Sequence, residues 1–155
     1  MTTDYHVGRI DHVELFVPDV EEAAQWYEQT LGLAVVEAFC EWADGGGPLM
    51  LSSDGGATKL ALFAGEPQDG QPSRGYRRLA FETGADGFRA FVEGTVSALE
   101  VFDSEGARID GVEPVDHGLS FSAYFHDPYG NPLEITTYEH EAVRTVLDGG
   151  ETNER

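Results

Sequence analysis

A chain of 155 residues with 41% hydrophobic content suits one domain, or two small modules sharing a core, and is short for two independent domains. Its 29 acidic against 9 basic residues leave a net charge of -20, with Lys59 the only lysine, which argues against nucleic acid as a partner. The single cysteine, Cys40, excludes an intramolecular disulfide, and no stretch approaches the roughly 20 apolar residues of a membrane span.

The N-terminus has no apolar run resembling a signal peptide, so a soluble cytoplasmic protein with no membrane partner is expected. A chain this acidic repels itself in dilute buffer, and molar salt shrinks the Debye length to about 3 Å and removes most of that cost. The composition therefore reads as adaptation to a salt-rich cytoplasm. Charge of this kind describes a habitat and not a reaction.

The segment Ile10 to Val17 alternates, with Val13, Leu15 and Val17 on one face and His12, Glu14 and Phe16 on the other, which predicts a strand with a polar second face. Pro18 and Asp19 open a helix in which Val20, Ala23, Ala24, Tyr27 and Leu31 recur at helical spacing, and Gly32 stands where a capping glycine belongs. Strands are predicted at about 34 to 40, 48 to 53 and 58 to 64, separated by the glycine-rich turns Asp44 to Gly47 and Asp54 to Gly56.

From Arg77 the pattern restarts. Leu79, Phe81 and Thr83 alternate with Arg78, Ala80 and Glu82, and a helix carrying Phe88, Phe91, Val92 and Leu99 follows. Aligning His12 with Arg78 superposes the two strand-helix pairs, as a duplicated unit would. Further strands are predicted near 108 to 113, 119 to 126 and 132 to 138, the last two joined by the tight turn Asp127-Pro128-Tyr129-Gly130-Asn131. The expected organisation is a first βαβββ module over 8-64, a second over 75-138, and a short acidic helix with a polar tail over 139-155.

Three stretches carry a resemblance: Ile10-Asp11-His12-Val13-Glu14-Leu15, Arg78-Leu79-Ala80-Phe81 and Tyr124-Phe125-His126-Asp127-Pro128-Tyr129-Gly130-Asn131-Pro132-Leu133-Glu134. They resemble the signature strands of the vicinal oxygen chelate family, the glyoxalase, bleomycin-resistance and extradiol-dioxygenase relatives, over about residues 9 to 138. The resemblance implies an α+β fold in which two tandem βαβββ modules form a cupped, barrel-like mixed sheet with helices outside. It also implies a small-molecule substrate or ligand, and often a homodimer.

In that family metal ligands project inward from the first and last strands of the modules, which assigns His12 and Glu134 as metal ligands. Parity agrees for Glu134, because Leu133 and Ile135 take the apolar face and turn it the other way. Imidazole with carboxylate suits a divalent iron, manganese, zinc or nickel ion with positions open for substrate oxygens. The position of the family's second histidine is Arg78, whose guanidinium stays protonated and cannot coordinate a cation. The fourth strand offers only Leu60, Ala61 and Leu62 where metal-binding glyoxalases place an acidic ligand.

Asp116-His117-Gly118 followed by Tyr124 resembles the segment of extradiol dioxygenases in which a histidine and a tyrosine flank the metal, so His117 and Tyr124 are the expected catalytic pair. Tyr124 is predicted opposite Glu134 across the hairpin, whereas His117 has the wrong parity unless a bulge intervenes. Arg78, Glu14 and Phe16 are expected to contact substrate, with Glu82 on the same cavity face, while His6, His126 and His140 are expected to face solvent. Two functions remain open: a metal-dependent enzyme acting on a substrate with vicinal oxygens, slightly favoured, and a metal-free binding protein in which Arg78 replaces the metal.

Overall fold

The computed structural model describes residues 8–66, 78–95 and 100–149. The chain divides into two compact units, Met1–Pro72 and Ser73–Arg155. The fold is mixed α+β, with the strands in two separate hydrogen-bonded sheets.

In the first unit β1 (His12–Val17) leads into α1 (Val20–Leu31). The Asp19 side chain accepts the backbone N–H groups of Glu21 and Glu22, both at 3.0 Å, satisfying donors that a helix start leaves orphaned. Gly32 takes φ 69° and returns its N–H to the Glu28 carbonyl, a left-handed cap that costs a glycine little. The helix buries Ala23, Ala24 and Tyr27 against the sheet.

The chain continues through β2 (Ala34–Val35), a 3-10 turn (Glu37–Phe39), α2 (Cys40–Asp44), β3 (Leu49–Ser52) and β4 (Lys59–Ala64). The strand predicted over 34 to 40 therefore stops after two residues. Glu37, Ala38, Glu41 and Ala43 are better helix than strand formers, and Phe39 and Trp42 meet at the helical spacing of three, with ring centroids 4.6 Å apart. The sheet runs β1-β4-β3-β2, with β1 parallel to β4 and the other pairs antiparallel. Leu15, Val17, Leu51, Leu60 and Leu62 fill its core, each contributing about 1.5–3 kcal/mol by leaving water.

The second unit holds β5 (Leu79–Glu82), α3 (Ala85–Ala90) with a π turn at Phe91–Thr95, and then β6 (Val101–Phe102), β7 (Arg108–Ile109), β8 (Pro114–Asp116), β9 (Phe121–His126), β10 (Pro132–Thr137) and α4 (His140–Gly149). The strand predicted near 108 to 113 is only its first two residues, and β6 and β8 were not anticipated. Three strands this short leave no alternation to read. Leu99, expected on the helix, lies outside the described residues.

The sheet order is β5-β10-β9-β6-β7, with β8 also on β9. Phe121, Ala123, Phe125, Leu133 and Ile135 form its buried face, where Phe88 of α3 meets Phe121 and Phe91 meets Phe125. The last helix, predicted as peripheral, docks through Val143, which is 1% exposed.

With a net charge of -20, unlike-charge contacts cannot neutralise the surface. The thermal midpoint is expected to rise by at least about 5 °C between dilute buffer and about 3 M potassium chloride, as screening removes the repulsion. A midpoint that stays flat or falls would remove the reading of the composition as salt adaptation.

Candidate functional site

In the second unit, β9 and β10 present Ser122, Tyr124, Pro132, Glu134 and Thr136 on the face away from α3 and α4. The register pairs Tyr124 with Glu134 and Ser122 with Thr136. β5 lies parallel to β10, and Arg78 enters the same face one residue before that strand begins. The alternation that sends Leu133 and Ile135 into the core sends Glu134 here, as parity predicts.

Five side chains meet on this face. The Arg78 guanidinium stands over the Tyr124 ring, 4.1 Å from its centroid, within the range of a cation–π contact. Its Nη1 is 3.8 Å from Glu134 Oε2, a charge contact too long for a hydrogen bond. The other carboxylate oxygen of Glu134, Oε1, accepts the Ser122 hydroxyl at 2.7 Å. His117 Nε2 lies 2.8 Å from the Tyr124 hydroxyl.

His117 reaches this face without a bulge. The pairing of Val115 with Ser122 and Asp116 with Phe121 continues through a turn closed by the His117 N–H on the Ser120 carbonyl. Reversing direction across that turn exchanges odd for even, so His117 shares a face with Tyr124. Uninterrupted alternation from Tyr124 back to His117 would give the opposite parity, and the turn is what corrects it. His140 also departs from expectation: it is 8% exposed, stacks on Phe121 at 4.8 Å, and places Nε2 2.6 Å from Asp116 Oδ1. The Gly118 backbone N–H, and after it His140, hold the Asp116 carboxyl below its ordinary value. His126 is half-buried, with Nδ1 shielded and unpartnered, and does not face solvent fully. Residue 6 lies outside the described residues.

In the first unit His12 is held by its neighbours. Its Nδ1 lies 2.8 Å from Asp11 Oδ2, and Lys59 Nζ, on a side chain only 6% exposed, lies 3.0 Å from Asp11 Oδ1. Glu14 Oε1 is 3.4 Å from His12 Nε2, and Phe16 packs on Phe63 at 5.8 Å. The Asp11 hydrogen bond, with help from Glu14, raises the pKa of His12 above 6.5, and that same bond to His12, followed by the one from Lys59, lowers the pKa of Asp11 below 3.8.

The sign of each shift fixes its effect. The raised His12 value contributes stability below 6.5 that is lost as pH climbs through the folded value, and the lowered Asp11 value contributes stability above 3.8 that is lost as pH falls through its folded value. The pair therefore supports folding most between those ordinary values. The His12 ring protons followed by NMR are expected to titrate above 6.5, and Asp11→Asn is expected to bring the midpoint back toward it. An unchanged midpoint in that variant would remove Asp11 as the cause.

A divalent metal was expected on His12 and Glu134. In neither unit do three His, Cys, Asp or Glu side chains group to hold an ion, among the described residues. Around Glu134 the donor set does not fit one: a permanent cation, Arg78, stands beside one oxygen, and a hydroxyl occupies the other. Sequence reasoning missed Ser122, Asp11, Lys59 and His140 as supports. Ser122 was legible in principle, since it shares the parity of Tyr124.

Comparison with known proteins agrees with this architecture. A family model for the glyoxalase/bleomycin resistance protein/dioxygenase superfamily matches residues 9–135. The chain is 29% identical over 130 residues to biphenyl-2,3-diol 1,2-dioxygenase 3 of Rhodococcus globerulus, covering 82% of this chain and 62% of that protein's length. Its fold resembles a glyoxalase/dioxygenase from Nostoc punctiforme, at TM-score 0.61 and 22% identity over 89% of this chain and 96% of that one. It also resembles the fosfomycin resistance protein FosX from Listeria monocytogenes, at TM-score 0.59 and 15% identity over 89% and 99%. With the family model spanning most of its length, the chain belongs to the glyoxalase/bleomycin resistance protein/dioxygenase superfamily.

Proposed function

We propose that this protein binds a small aromatic ligand with adjacent oxygens, at least one of them ionised, on the Arg78, Tyr124 and Glu134 face, with Arg78 taking the place of a metal ion. The observation that carries this reading is the guanidinium itself, poised 4.1 Å over the Tyr124 ring and touching Glu134 only at 3.8 Å. It is not spent in a bidentate pair with the carboxylate. Its planar fork of five N–H donors matches two neighbouring oxygens better than any other side chain does. The Tyr124 and His117 pair adds a hydroxyl and an imidazole that donate to or accept from the same ligand.

The second reading, a metal-dependent enzyme acting on vicinal oxygens, is favoured by that same His117 and Tyr124 contact and by the dioxygenase similarity. Both readings call for the same kind of ligand and part on the metal. Calorimetric titration of chelator-treated protein with catechol and with biphenyl-2,3-diol separates them. One equivalent is expected to bind without metal, and Arg78→Ala is expected to weaken binding by at least about tenfold, a charge-assisted hydrogen bond being worth about 1.5–3 kcal/mol. Binding that begins only when iron(II) or manganese(II) is added would favour the enzyme.

A further inference from the structure

We infer that His140 is a positioning residue that acts through Asp116 to hold His117 against Tyr124, an assignment resting on the reading above that His117 and Tyr124 face the ligand. Asp116 and His117 are consecutive, and strand alternation sends them through opposite faces of the same sheet. On the helix side, one oxygen of Asp116 receives both His140 Nε2 at 2.6 Å and the Gly118 N–H at 2.7 Å. On the other side, His117 meets the Tyr124 hydroxyl at 2.8 Å. The residue clamped by the C-terminal helix is thus the immediate neighbour of the residue at the site.

Little else fixes this turn. Gly118 takes φ 82°, and Leu119 beyond it is 83% exposed, so side-chain packing does not set the turn's conformation. Its shape rests on the His117 N–H to Ser120 contact and on the Asp116 carboxylate. His140 is a firm anchor for that carboxylate: it is 8% exposed, lies nearly parallel to Phe121 at 16°, and stands at the first residue of α4, whose Val143 is buried. Phe121 is the strand partner of Asp116, so ring and carboxylate are gripped at one point of the sheet. Without the His140 N–H, the Asp116 side chain is free to change rotamer, releasing Gly118 and letting His117 swing away from Tyr124.

The test compares His140→Phe, which keeps a ring on Phe121 but has no donor, with His140→Gln, which keeps a neutral donor. Long-range proton–nitrogen NMR reports the tautomer and hydrogen bonding of His117, and calorimetry with catechol reports the site. His140→Phe is expected to shift the His117 ring nitrogens and to weaken catechol binding at least about threefold, with partial recovery in His140→Gln. In a His117→Ala background the same substitution is expected to leave catechol affinity unchanged, because the effect travels through the missing imidazole. His117 resonances that do not move, or an equal loss of affinity without His117, would overturn the assignment. If wild-type protein binds no catechol at all, the functional reading fails while the NMR comparison still decides the role of His140.

Discussion

Replacing Arg78 by histidine is expected to raise affinity for manganese(II) or zinc(II) at least about 100-fold over the wild type. Two effects add. The guanidinium is a fixed positive charge within 3.8 Å of Glu134, the carboxylate any ion on this face would use. Removing a unit charge about 5 Å from a divalent ion is worth roughly 1.7 kcal/mol even at the dielectric constant of water, or about 17-fold, and more where solvent is excluded. The introduced imidazole then supplies a neutral nitrogen that divalent metals prefer.

Arg78→Ala separates the two contributions, since it removes the charge without adding a ligand and should yield only the smaller gain. Adding Glu134→Gln to the histidine variant should cancel most of the increase. Titration calorimetry on tag-free protein provides the measurement. A wild-type protein that already binds one equivalent tightly would refute the metal-free reading.

What the sequence disclosed follows from how local each signal is. The first strand and helix were legible because a period of two and a period of 3.6 each run long enough to count, with Asp19 and Gly32 marking the helix ends in chemistry specific to those positions. The β9 to β10 hairpin was legible for a similar reason, and with it the pairing of Tyr124 and Glu134. Segments 34 to 40 and 101 to 116 were not, because strands of two or three residues owe their existence to partners far along the chain.

At the site, residue types and faces could be read but their partners could not. Arg78 was identified as the anomaly, yet a bidentate pair with Glu134 was as compatible with the sequence as the stack on Tyr124 that the fold adopts. The contact of His140 with Asp116 joins residues 24 apart, and nothing in the intervening composition announces it. The Asp11 support of His12 is the converse case: the residues are adjacent, but Lys59, which fixes the carboxylate, arrives from a parallel strand 48 residues later.

The motif that carries the family resemblance also contains its own structural device, and Asp127→Ala is expected to cost about 2–4 kcal/mol of folding free energy. Asp127 is 0% exposed, and its carboxylate accepts the N–H groups of Tyr129 at 2.9 Å and Asn131 at 2.8 Å and the Asn131 amide at 2.7 Å. Those bonds wind the turn in which Gly130 takes φ 88°, and the turn sets the register that brings Glu134 opposite Tyr124. Truncation leaves three donors to find water in a half-buried turn, so the loss exceeds that of one hydrogen bond, while partial hydration keeps it below the sum of three. Asp127→Asn retains one acceptor oxygen for the two backbone donors and should lose less. Urea unfolding in about 3 M potassium chloride, where charge repulsion is screened, gives the comparison without confounding it with net charge. Because the total stability of such a domain is about 5–15 kcal/mol, the alanine variant should remain folded in high salt and bind catechol more weakly through a loosened hairpin. A variant within about 0.5 kcal/mol of wild type would mean that strand pairing alone, and not the Asp127 turn, holds Glu134 in register.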